Sequence, residues 1–130
     1  MSIKHAAIIE KFAQHHYIKK FSKKYGRAWD ITLAALIREF QSFDVLFERN
    51  IAKTIIDSDK TKICKTEFNV AGNNKSRHGS GNRCIVAINK IRSTINVLLV
   101  YGKTDIGGGK ETVRWKNVIR ENYPAYRNLL

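Results

Sequence analysis

Three apolar runs dominate the second half of the chain: "KICKTEFNV" (residues 62–70), "RCIVAINKI" (83–91) and "TINVLLVYG" (94–102). They are rich in β-branched residues and contain no proline, which is the signature of strands. Only "RST", residues 92–94, links the last two, so they are expected to form a tight antiparallel hairpin. The first two are joined by Gly, Asn, Ser and basic residues within "AGNNKSRHGSGNRCIVAI", residues 71–88, a longer hairpin tip. Consecutive hairpins make an antiparallel meander. The third run is nearly all apolar and is expected to be its central strand.

The first third of the chain reads helical. Ile8, Ile9, Phe12 and Ala13 start one apolar stripe, and Tyr17, Phe21 and Tyr25 continue another out of phase with it, which calls for a bend near His15 and His16. Gly26 is a suitable helix stop. Trp29, Leu33, Leu36, Ile37 and Phe40 then fall within about 100° of arc, a core-facing helical stripe. Residues 43–60 read as a short helix followed by loop. A last helix is expected over residues 110–122, with Trp115, Val118, Ile119 and Asn122 on one face, ended by Pro124. The expected class is therefore α+β: an N-terminal helical hairpin packed on an antiparallel β-meander, with a C-terminal helix and the helices on one face. A length of 130 residues fits one domain, residues 1–130.

Composition narrows the function. The chain has 24 Lys and Arg against 11 Asp and Glu, a net charge of +13. Residues 62–130 alone hold 13 bases and 4 acids, and no acid occurs between Phe68 and Lys103. Such a field favours a polyanionic partner, nucleic acid or an acidic protein. No apolar run is long enough to span a membrane, and the apolar stretch near Met1 is too short for a signal peptide, so a cytoplasmic protein is expected. Cys64 and Cys84 are too few for a disulfide scaffold or a zinc site, and their offset on neighbouring strands points to buried free thiols.

The catalytic motifs that the chain lacks are informative. "GKTDIGGGKET" lies between a strand and a helix like a phosphate loop, but Thr104 and Glu111 stand where that motif needs Gly and Ser or Thr. What survives is a helix start with Lys110 that could hold one phosphate. Adjacent His15 and His16 point about 100° apart on a helix, and His5 reads as solvated, so no metal and no cofactor are expected. Paired carboxylates for two-metal chemistry are absent.

Cationic chemistry remains. RNA can be cleaved without metal when its 2′-OH attacks the adjacent phosphate and fixed Arg and Lys side chains stabilise the charge that builds up. A neighbouring Lys or His moves the protons. The hairpin register brings Lys103, at the end of the third strand, beside Arg83, at the start of the second. Around this pair stand the further candidates Lys65, Glu67, Lys75, Arg77, His78, Lys110 and Arg114. The plainer reading is a solvated basic edge that holds an acidic partner.

These residues also carry a resemblance. "TEFNVAGNNKSRHGSGNRCIVAI", "INVLLVYGKTD" and "ETVRWKNVI" resemble the RelE/ParE superfamily of bacterial type II toxin–antitoxin toxins. "GNR", ending in Arg83, is similar to the family's hairpin end, and "LLVYGK", ending in Lys103, to its Gly-Lys strand ending. The likeness spans residues 62–120 by motif and 17–45 by element order. It implies a small toxin that is held by an acidic, partly disordered antitoxin. RelE-like members are endoribonucleases that cut mRNA on the ribosome and inhibit translation, and ParE-like members poison DNA gyrase. Arg83 matches the family's catalytic arginine and Lys103 the lysine of its Gly-Lys ending; these two are the expected catalytic residues, with His78 added from its setting. Thr104 stands where many RelE-like enzymes have Arg. Their functional Tyr has no clean match, so Trp115 or Tyr123 would have to substitute. The family usually opens with a strand, whereas "MSIKHAAIIEKF" reads as helix. The alternatives to an endoribonuclease are a gyrase poison and a non-catalytic nucleic-acid-binding domain.

Overall fold

The structure, a computed structural model, describes residues 5–105 and 110–130. Five strands form one sheet in the order β1-β5-β4-β3-β2. The four strands β2 (Ala52–Asp57), β3 (Thr61–Phe68), β4 (Asn82–Asn89) and β5 (Thr94–Gly102) make the antiparallel meander, and β1 (Ala6–Ile9) pairs parallel with β5. The three expected strands are therefore present, and two edge strands are added. β5 lies inside the sheet but one place from its centre, which β4 occupies.

β1 corrects the helical reading of the N-terminus. Ile8, Ile9, Phe12 and Ala13 fit a helix by spacing, but the nearly all-apolar β5 needs backbone partners on both edges. Residues 6–9 supply the second set, in the register Ala6↔Thr94 to Ile9↔Val97. The second correction is β2, a strand where loop is expected after α4 (Phe43–Glu48). Its alternation is broken because the register with β3 slips between Thr54 and Ile56.

The helices follow the expected order. α1 (Lys11–Ala13) passes through a π-helical turn, Gln14–Ile18, into α2 (Lys19–Tyr25). A π turn inserts one residue, which rotates the apolar face by about 100°. That is the physical form of the bend expected at His15 and His16, and it lets Ala13, Ile18 and Phe21 bury into one core. The Tyr17 side chain lies outside the described set. Gly26 ends α2 with φ of 54°, a conformation that favours glycine. α3 (Arg27–Gln41) buries Trp29, Leu36 and Phe40. α5 (Glu111–Asn122) buries Trp115 and Ile119, and Pro124 opens a terminal 3₁₀ turn, Pro124–Leu129.

The helices occupy both faces of the sheet, not one. α2, α3 and α4 cover Cys64, Phe68, Cys84, Val86, Ile95, Val97 and Val100. α5 covers Ile63, Ile85, Ala87, Leu98, Leu99 and Tyr101 on the other side. A bulge links this arrangement to the site. Ile85 pairs with Leu99 and Val86 with Val97, so Leu98 has no partner. The extra residue reverses the alternation of β5. Ile95 and Val97 face α2 and α3, whereas Leu99 and Tyr101 face α5.

Candidate nucleic-acid site

Tyr101 therefore shares a sheet face with Lys65 and Glu67 of β3 and Arg83 of β4. Glu67 lies directly across from Arg83, and Arg83 across from Tyr101. Arg83 is buried, with only 5% of its side chain exposed. Its Nη1 lies 3.0 Å from Glu67 Oε2, and its Nε lies 3.7 Å from Glu111 Oε2 of α5. Lys65 Nζ is 2.7 Å from the same Glu111 oxygen, and Tyr101 donates its hydroxyl to that oxygen at 2.7 Å. A buried guanidinium needs such partners, because an unpaired one carries a large desolvation cost.

His78 completes the group. Its Nδ1 is 2.7 Å from Glu67 Oε2, while 84% of its side chain is exposed. With Nδ1–H donated to Glu67, the tautomer assigned from this contact leaves Nε2 as a free acceptor facing solvent. Burial pushes the Glu111 carboxyl up, but the hydrogen bonds from Lys65 and Tyr101 and the nearby charges outweigh it and hold it below its ordinary range. Burial and the bond to Glu111 push the Tyr101 phenol far up, so it remains a donor at neutral pH.

A cavity of about 190 Å³ opens over this network, lined by Lys53, Lys65, Glu67, His78, Arg83, Lys103 and Glu111 among others. Arg83 and Lys103 thus line one cavity, as the hairpin register implies, and Lys103 N–H donates to Gly81 O at 2.7 Å. Glu67 and Glu111 each pair with Arg83, through Nη1 and Nε respectively. They lie 44 residues apart in sequence (111 minus 67) and converge on Arg83 in space. Glu111 is an ordinary acid in a first helical turn by sequence, and only the packing of α5 reveals its reach. Lys53 and Tyr101 are further members that periodicity does not show, since Lys53 sits on β2, which reads as loop, and the bulge at Leu98 turns Tyr101 to this face.

The remaining candidates separate from this group. Arg77 turns to α3, where its Nη2 lies 2.6 Å from Glu39 Oε2. Lys75 lines a second, larger cavity on the α2 side of the sheet. Lys110 is the residue before α5 and is exposed, and Arg114 is exposed on that helix. The residues 106–109 that would build the glycine-rich phosphate cradle lie outside the described residues. Trp115 is wholly buried, and Tyr123 donates its hydroxyl to Leu98 O at 2.6 Å, so neither reaches the cavity. His5 is half-buried rather than solvated, with its Nδ1 unpartnered among the described residues. Among the described residues no three His, Cys, Asp or Glu side chains are arranged to hold a metal ion. No helix among them is long and apolar enough to cross a membrane.

The loop over residues 69–81 is pinned rather than loose. Ala71 N–H donates to Thr32 Oγ1 at 2.8 Å, Asn69 Nδ2 donates to Lys75 O, and Ser80 Oγ lies 2.7 Å from both Phe68 O and Arg77 O. Together with the Arg77–Glu39 pair, these bonds hold His78 at the rim of the cavity.

No family model matches the chain, and no curated protein matches it. Among solved structures, the chain is similar to one in the crystal structure of the archaeal RelE–RelB complex from Pyrococcus horikoshii OT3. The TM-score is 0.51 at 12% identity, covering 78% of this chain and 98% of that one. At that identity the likeness is one of fold: an α+β chain of the RelE-like fold.

Proposed function

We propose that this chain is the toxin of a toxin–antitoxin pair and a metal-independent endoribonuclease that cuts mRNA on the ribosome. The observation that carries the reading is the exposed His78 imidazole held by Glu67 at the rim of a cavity containing Arg83, Lys65, Lys53 and Lys103. The RelE-like fold supports it, and the partner in the similar archaeal complex supports an antitoxin here. The net charge of +13 suits both an acidic antitoxin and RNA.

In this reading His78 Nε2 takes the proton of the 2′-OH. The 2′-oxygen then bonds to phosphorus, and the bond from phosphorus to the 5′-oxygen breaks. Lys103 gives a proton to the departing 5′-oxygen. The products are a 2′,3′-cyclic phosphate and a 5′-OH. Arg83 and Lys65 stabilise the charge on the phosphoryl oxygens. A phosphate reaches them by displacing Glu111 from its 3.7 Å contact with Arg83 and its 2.7 Å contact with Lys65.

Induced expression in a bacterium with transcriptome-wide mapping of RNA ends tests the proposal. Growth arrest with discrete mRNA cuts supports it. DNA damage without cuts would point to a gyrase poison. The full pairing of Arg83 favours one second reading, a non-catalytic RNA-binding domain, which gives salt-dependent binding and no cleavage product.

A further inference from the structure

The second cavity, about 530 Å³, lies on the opposite side of the meander end, between α2, the 69–81 loop and the turn after β5. Its size fits a mononucleotide. Lys103 lines both this cavity and the one over Arg83, so the two meet at one side chain.

Two polar groups converge in this cavity. Asn82 is only 6% exposed, lines the cavity, and its side-chain amide makes no hydrogen bond among the described residues. The Asn82 amide is not among the buried polar atoms that lack a partner, so it meets solvent in the cavity and is open to a ligand's hydrogen bonds. Asp105 reaches the same spot. A methyl added at Gly102 would stand 2.6 Å from Asp105 Oδ2 and 3.7 Å from Asn82 Oδ1, so bare backbone lets both side chains converge there. The rim is basic and aromatic. Lys24 Nζ stands 5.3 Å over the Tyr25 ring, and Lys75 lines the other wall.

From these groups we infer a guanine-nucleotide site. The Watson–Crick edge of guanine carries the O6 acceptor next to the N1–H and N2–H donors. Asn82 Nδ2 supplies a donor for O6, and the Asp105 carboxylate accepts from both N–H groups. Adenine, cytosine and uracil do not offer two adjacent donors to that carboxylate. The base stacks on Tyr25 as Lys24 swings to the phosphate, which Lys75 and Lys103 also reach. The shared chemistry is a guanosine phosphate, either a residue of RNA next to the scissile phosphate or a free nucleotide. The RNA source rests on the endoribonuclease reading, whereas the binding site itself does not.

Calorimetric titration of the full chain with GMP, AMP, CMP and UMP at fixed salt tests the site. GMP is expected to bind at least about tenfold tighter than the others, the scale of one good bidentate contact. Asp105→Asn, at an exposed position, should remove that preference, while Lys75→Glu should weaken all four nucleotides alike. Asn82→Asp should weaken GMP binding, with a thermal melt confirming the fold. Equal affinity for the four nucleotides, or an unchanged preference in Asp105→Asn, overturns the inference. A guanosine-containing oligonucleotide that binds tighter than GMP identifies RNA as the source, and GMP binding as tight as the oligonucleotide's identifies a free nucleotide. His78→Ala separates the two proposals. It should abolish mRNA cutting and leave GMP binding intact. RNA cuts without a GMP preference would sink this site alone.

Discussion

Glu67 and Arg83 face each other across β3 and β4, and Glu67 Oε2 simultaneously contacts Arg83 Nη1 at 3.0 Å and His78 Nδ1 at 2.7 Å. One carboxylate thus anchors a buried guanidinium and orients an exposed imidazole. The proposed chemistry would therefore be coupled to stability through this residue.

Removing Arg83 should therefore do more than remove the charge proposed to hold the phosphate. Arg83→Ala leaves two carboxylates without their shared partner and should destabilise the fold by about 3 kcal/mol, the lower range for a buried pair broken on one side. Arg83→Lys keeps the charge and should cost less while still losing most cutting, since Lys lacks the planar fork. Urea denaturation of both variants measures this.

His78 has no comparable structural share, because 84% of its side chain is exposed. His78→Ala should lower cutting by about a hundredfold or more while changing stability by no more than about 0.5 kcal/mol. A cutting rate equal to the wild type would remove His78 from the mechanism.

Glu111 gives a pH signature. Its folded pKa lies below the ordinary value of 4.5, so its contribution to stability is fully present above that value. It is lost as the pH falls from there through the depressed folded pKa. Glu111→Gln should flatten this part of the acid stability profile. The same variant frees Lys65 and Arg83 from a competing anion, so its affinity for single-stranded RNA should rise at neutral pH. Denaturation at several pH values and a binding titration read the two effects separately.

The Arg77–Glu39 pair predicts a local effect. Both side chains are partly exposed, so Arg77→Ala should cost only about 0.5–1 kcal/mol. Hydrogen exchange should quicken at Ala71 N–H, and the Arg83 network should be unaffected.

Burial pushes the Cys64 thiol up to about 12 and the Cys84 thiol higher still. Neither should be alkylated in the native protein at pH 8, and both should react after unfolding in guanidinium. Mass spectrometry distinguishes the two states.

The hairpins were legible in the sequence because β-branched runs and a three-residue link leave few alternatives. β5 occupies the expected Thr94–Gly102, and the nearness of Lys103 to Arg83 followed from that register. Features that depend on distant partners were not legible. β1 is a four-residue strand that exists only against β5, and its spacing also suits a helix. The β5 bulge at Leu98 reverses the facing of Tyr101, and nothing in an apolar run announces an unpaired residue. Glu111 looked like an ordinary helix-start acid until α5 packed over Arg83. The π turn lies between these cases, since two stripes out of phase required a discontinuity without giving its form.

The central claim concerns the bond that breaks, so the ends of the RNA fragments test it most directly. Purified protein is added to ribosomes translating a defined mRNA, and the fragment ends are analysed chemically. The account requires 2′,3′-cyclic phosphate on the upstream fragment and 5′-OH on the downstream one, both lost in His78→Ala. Intact mRNA, or fragments that carry 5′-phosphate and 3′-OH ends, would contradict it.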